Sequence, residues 1–143
     1  MSPIEAAEAF ERAPFLAERV GEGGDAAAVI VRARAILATM SEAERIAVLN
    51  AHAQIGATAG LSARSAAEQS AGATDAGTLR ALAALNAEYE RTFGFRFVVF
   101  VNGRSRAEIV PVLQARLGRA RHEELAAGIE EFLAIARDRM ERG

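Results

Sequence analysis

The sequence predicts an all-α fold, a single-domain multi-helix bundle over residues 1–143. Three observations predict it. Hydrophobic residues make up 51% of the chain, and alanine, the strongest helix former, supplies much of that share. Ser-x-x-Glu helix starts recur along the chain. Apolar residues then repeat at the period of a helix that buries one side. Few β-branched runs occur outside one short stretch.

The elements follow in order. Ser2-Pro3-Ile4-Glu5 places Ser at an N-cap, Pro at the first helical position and Glu in the first turn. Pro14 breaks that first helix near Ala13. Gly21, Gly23 and Gly24 mark a loop. A helix over about 25–40 carries the stripe Val29, Ile30, Ala33, Ile36, Leu37 and Met40. Ser41-Glu42-Ala43-Glu44 starts the next helix with a capping box. Asn50 to Leu61, with Gly56 and Gly60, reads as a loop, and a helix is expected from Ser62 past Gln69. Another covers roughly Thr74 to Phe93 and stops at Gly94. Phe95 to Val101 is the one β-like run and has no visible partner strand. It reads either as an extended, buried connector or as the start of a helix, followed by a turn at Asn102-Gly103.

Ser105-Arg106-Ala107-Glu108 repeats the capping box. Pro111 is expected to kink the helix that follows or to lie in its first turns, and Gly118 to end it. The last helix presents Leu125, Ile129, Phe132, Leu133, Ala136 and Met140 on one face. The sum is about seven helices.

Composition narrows the function. Seventeen basic and 19 acidic residues, a net charge of −2, argue against a nucleic-acid binder. The absence of cysteine excludes a disulfide scaffold, a thiol nucleophile and a Cys-ligated metal site. The longest apolar runs fall far short of a membrane span. The acidic N-terminus lacks the charged region of a secretory signal, and Glu141-Arg142-Gly143 is no targeting tripeptide. A cytoplasmic protein that binds neither membrane nor nucleic acid is therefore expected.

Only two histidines occur. His122 lies in the charged run Arg119 to Glu124 and reads as a solvated surface residue. His52 lies at a helix exit among small and apolar neighbours, where it serves either acid/base chemistry or a bond to a nearby carbonyl. Ser65, Glu68 and Gln69, spaced i, i+3 and i+4, share one helix face that the preceding loop can bring to His52. A hydroxyl, a carboxylate and an amide beside an imidazole suit a small-molecule site. The same Ser65-Ala66-Ala67-Glu68 also fits a capping box with Gln69 exposed. Arg139 and Arg137 flank opposite edges of the last helix's apolar stripe, and pattern alone does not choose between them.

These segments together resemble the OHCU decarboxylases, OHCU being 2-oxo-4-hydroxy-4-carboxy-5-ureidoimidazoline. Leu49-Asn50-Ala51-His52-Ala53-Gln54-Ile55-Gly56 resembles the family's segment around its catalytic histidine, with Ala53 where Pro is usual and Gln54 where Asp or Arg is more usual. Ser65-x-x-Glu68-Gln69-x-x-Gly72 is similar to its Ser-x-x-Glu-Gln motif. Leu85-Asn86-x-x-Tyr89-x-x-x-Phe93-Gly94-Phe95-x-Phe97 resembles its aromatic segment. Gln114-Ala115-Arg116-Leu117 and Ile135-x-x-x-Arg139-Met140 resemble its two later Arg-Leu pairs, the second with Met for Leu. The resemblance runs in order from about Phe10 to Arg142, although Gly21 to Asp25 lacks the family's commoner Arg-Pro-Phe.

The resemblance implies roles by position. His52 is the catalytic histidine. Ser65, Glu68, Gln69 and Arg139 bind substrate, and Phe97, Val98, Val99 and Val101 supply backbone and wall contacts. It implies decarboxylation of OHCU to (S)-allantoin in urate breakdown, by a homodimer. No metal or cofactor is expected, because the substrate's own C=N bond accepts the electron pair that CO₂ leaves behind. Two rival readings stand beside this one. A non-catalytic relative would keep the pocket for a ureide-like metabolite, and a helical interaction module would use the polar cluster structurally.

Overall fold

The computed structural model of the chain describes residues 25–52, 54, 55 and 76–142. The expected first helix, its break at Pro14, the Gly21–Gly24 loop and the helix from Ser62 lie outside the described residues. So do Ala53, Ser65, Glu68 and Gln69. Five helices form among the described residues: α1 (Ala26–Thr39), α2 (Glu42–Asn50), α3 (Ala76–Phe93), α4 (Arg106–Leu117) and α5 (Arg121–Arg142). No strand occurs among those residues, in keeping with the all-α expectation.

The helix starts follow from the caps. The Asp25 carboxylate accepts from the Ala28 N–H at 2.9 Å and opens α1. Ser41 and Ser105 each close a complete capping box, with Glu44 and Glu108. α3 stops at Gly94, whose φ of +82° puts it in the left-handed region that glycine enters without a Cβ clash. Gly118 ends α4 at φ −84°, so the stop there does not depend on glycine's freedom. Pro111 sits inside α4, beyond its first turn, on the exposed side where water can serve the carbonyl it leaves unbonded.

Packing follows the periodic faces. α1 buries Val29, Ile30, Ala33 and Leu37 and lies against α5. α2 also packs on α5, and α3 pairs with α4. α5, with 22 residues, is the axis of the core and is about 33 Å long. Its buried face includes Gly128, Ile129, Phe132, Leu133, Ala136 and Arg139. α2 comes close at Gly128, where an added Cβ would stand 3.0 Å from Leu49 Cδ1. That near approach brings the end of α2 down onto Phe132, one turn further along α5.

Phe95 to Val101 is an extended connector and not a helix start. Gly94 at one end and Asn102 and Gly103, both at positive φ, at the other isolate it from α3 and α4. Phe95, Phe97, Val98, Val99 and Val101 are buried. A buried extended chain without a partner strand must satisfy its polar backbone otherwise. Here side chains do so: the Arg96 N–H donates to Asn50 Oδ1 at 2.9 Å, and Arg116 Nη1 donates to the Val98 carbonyl at 2.7 Å. Further on, the Phe100 N–H donates to Glu131 Oε1 at 3.4 Å, and Arg104 donates to the Phe100 and Val101 carbonyls at 2.7 and 2.9 Å.

Candidate active site

The loop that follows α2 carries His52. Its backbone N–H donates to the Leu49 carbonyl at 3.1 Å, so the chain is still turning as it leaves the helix. The side chain is buried, at 6% exposure. Its ring meets Phe132 of α5 edge-on, with centroids 5.1 Å apart and planes at 74°. The second histidine, His122, is exposed, as its charged surroundings suggest.

Arg139 lies two turns beyond Phe132 on α5, about 10 Å along the axis on the same buried side. At 3% exposure it is an interior arginine. Arg137, its rival in the sequence, points outward and pairs with Glu141 at 2.7 Å. His52 and Arg139 are thus brought to one face of one helix. The connector reaches α5 at the flank of that face, where the Phe100 N–H donates to Glu131. Val98, Val99 and Val101 are buried in the core together with the Phe97 side chain. Phe97 lies edge-on to Tyr89 at 5.2 Å and under the Arg116 guanidinium at 4.5 Å.

Behind the connector is a buried ionic cluster. Glu124 is fully buried and accepts through Oε1 from Tyr89 Oη at 2.7 Å and from Arg116 Nε at 2.8 Å. Arg119 Nη1 stands 3.1 Å from the other carboxylate oxygen, a charge contact and not an aligned hydrogen bond. The charged run Arg119 to Glu124 is thus exposed at His122 and buried at Glu124. Arg116 therefore serves as a strut, tying the Val98 carbonyl to Glu124.

Burial, and then the bond to the Glu124 carboxylate, push the Tyr89 hydroxyl well above the ordinary tyrosine range. The folded state therefore favours neutral Tyr89. The stability this contributes is fully present below the unfolded value of ~10 and is lost as pH rises through the folded one. The chain has one tyrosine and no tryptophan, so the near-ultraviolet tyrosinate band reports Tyr89 alone. In an alkaline titration that band should stay absent at pH ~10 and emerge together with loss of helical circular dichroism. Ionisation at pH ~10 with the helices intact would contradict the placement of Tyr89.

Sequence reasoning gave no role to Asn50, Asn86, Glu90 or Arg96, all of which hold the His52 loop. Asn86 Nδ2 donates to the Ile55 carbonyl at 3.0 Å, and Gln54 donates to the Glu90 carboxylate. Arg96 Nη1 donates to the Asn50 and His52 carbonyls at 3.3 and 2.6 Å. The visible trace of this was a lone arginine inside the apolar run Phe95 to Val101.

The family model of the OHCU decarboxylases matches residues 5–141. Among solved structures, an OHCU decarboxylase crystallised in the presence of (S)-allantoin superposes with a TM-score of 0.77 at 25% identity, over 96% of each chain. An (S)-allantoin synthase superposes with a TM-score of 0.75 at 16% identity. That likeness, which shows the fold, covers 98% of this chain and 48% of the synthase, so the chain spans about half the synthase's length. No curated protein matches the sequence. The helical fold and the family match together define a carbon–carbon lyase of the carboxy-lyase class. The chain belongs to the OHCU decarboxylase family. No helix among the described residues is long and apolar enough to cross a membrane.

Proposed function

We propose that this chain converts 2-oxo-4-hydroxy-4-carboxy-5-ureidoimidazoline to (S)-allantoin, with His52 as its acid/base. The observation that carries the reading is the placement of His52, buried against Phe132 on the α5 face that also holds Arg139. Family membership supplies the substrate class.

The chemistry asks little of the protein beyond position and proton control. The bond from the ring carbon to the carboxylate breaks, its electron pair forms a C=C bond to the neighbouring carbon, and the C=N pair moves onto the ring nitrogen, which takes up a proton. The hydroxyl on that ring carbon loses its proton and becomes the carbonyl of allantoin. A proton is then delivered to one face of the neighbouring carbon, which bears the ureido group. Histidine suits both proton steps because an imidazole exchanges a proton near neutral pH. The chain contains no lysine and no cysteine, so neither a Schiff base to a side-chain amine nor a thiolate adduct can form.

In this reading Arg139 pairs with the substrate carboxylate or a ureido oxygen. Glu68 accepts hydrogen bonds from ring or ureido N–H groups, and Ser65 and Gln69 bind the polar edges. The backbone of Phe97 and the walls at Val98, Val99 and Val101 close the other side. Holding a self-activated substrate in this way lowers the barrier by orientation and by stabilising the shifting charge. The homodimer implied by the resemblance belongs to the same proposal, and sedimentation of the purified protein tests it.

The test of the function is turnover of freshly generated substrate by the purified protein. Decay of the substrate should accelerate in proportion to protein concentration, with release of CO₂. Saturable binding of the substrate with only the spontaneous rate of decay would favour the non-catalytic relative instead.

A further inference from the structure

The loop that carries His52 follows the end of α2, where the last carbonyls have no partner within the helix. Those carbonyls point at the start of the connector. Arg96 Nη1 donates to the Asn50 carbonyl at 3.3 Å and to the His52 carbonyl at 2.6 Å. In return, the Asn50 side-chain oxygen accepts the Arg96 backbone N–H at 2.9 Å. The lock is therefore two-way, each segment holding the other's backbone. Glu90 of α3 steadies it from behind, 3.7 Å from Arg96 Nε and bonded to Gln54 two residues past His52. A guanidinium at a helix C-terminus also meets the negative end of the helix dipole, which favours this arrangement over a neutral side chain.

We infer that Arg96, locked to Asn50, is a positioning residue for the catalytic histidine: it fixes the His52 backbone so that the imidazole is held at its working angle against Phe132. The inference rests on the proposed role of His52. Arg96 directs its hydrogen bonds to backbone carbonyls, so its loss misplaces the imidazole and leaves substrate contacts in place. Displacement of a catalytic group by about 1 Å costs on the order of a hundredfold in rate.

The experiment compares Arg96→Ala with the unaltered chain in two readouts. In steady-state kinetics on the ureidoimidazoline substrate, kcat should fall by roughly tenfold to a hundredfold while KM changes by less than about threefold. In NMR spectra of the ligand-free protein, the His52 ring signals should move away from their Phe132-shifted positions. A raised KM at constant kcat would mean that Arg96 binds substrate directly, and unchanged ring signals would mean that it does not hold His52. Either result overturns the inference.

If Arg96→Ala does not fold, Arg96→Lys takes its place. One nitrogen, Nη1, serves both carbonyls, and a lysine ammonium falls short of its position and lacks the rigid guanidinium plane, so an intermediate loss of kcat is expected. Full kcat with unmoved ring signals in that variant would likewise overturn the inference. The underlying role of His52 is tested separately by His52→Asn. Activity retained there, together with moved ring signals in Arg96→Ala, would end the catalytic reading of His52 and leave the lock standing.

Discussion

Glu124→Ala should destabilise the protein by about 3–5 kcal/mol, the cost of leaving a buried charge without its partner. Arg116 is 8% exposed and draws its nearest counter-charge from Glu124 at 2.8 Å. Removing that carboxylate strands the guanidinium in the core and takes the acceptor from Tyr89 as well. Arg119 cannot compensate, because it is itself a cation and sits on the exposed side of the cluster. A loss of this size is a large share of the ~5–15 kcal/mol that holds a domain together. Urea unfolding followed by far-ultraviolet circular dichroism measures it. Tyr89→Phe, which removes one bond to a charged acceptor, should cost about 1.5–3 kcal/mol. A Glu124→Ala loss below about 1 kcal/mol would show that the cluster is solvated and not the core element described here.

His52→Asn should lower kcat/KM by about 10²–10⁴-fold, the usual contribution of a positioned general acid/base. Asparagine keeps a polar side chain of similar reach but exchanges no proton at neutral pH. It should cost little stability, because the surrounding apolar contacts centre on Phe132 and the backbone lock through Arg96 remains. The unfolding midpoint therefore serves as the control. A folded variant with the full rate would remove His52 from the mechanism.

The helical fold was legible because its signals are local. Ser41 and Ser105 announce their helices through a glutamate three residues on, and both boxes form. The stripes of α1 and α5 became the core for the same reason, since a 3.6-residue period leaves few ways to bury them. The connector was only half legible. Its β-branched and aromatic residues indicate burial, but what satisfies its backbone is a set of side chains on α2, α4 and α5. That information is tertiary.

Glu124 shows the same limit more sharply. Its neighbours Arg121, His122 and Glu123 are exposed, and nothing in their sequence marks one carboxylate for the interior. The mark is Tyr89 on α3, together with Arg116 on α4. At the candidate site, residue types indicated His52, and the ordered resemblance gave it a role. Arg139 and Arg137 could not be separated by periodicity, since both flank the stripe. Packing separates them, burying Arg139 and leaving Arg137 on an exposed pair with Glu141.

The most direct test of the central claim is the handedness of the product. Freshly generated substrate is divided among buffer, the unaltered protein and His52→Asn, and the circular dichroism of the allantoin formed is followed over time. The account predicts a rapid rise of (S)-allantoin signal with the unaltered protein. With His52→Asn it predicts a slow, optically weak product like that of buffer alone. Racemic product from the unaltered protein at the buffer rate, or an undiminished (S)-signal from the variant, would contradict it.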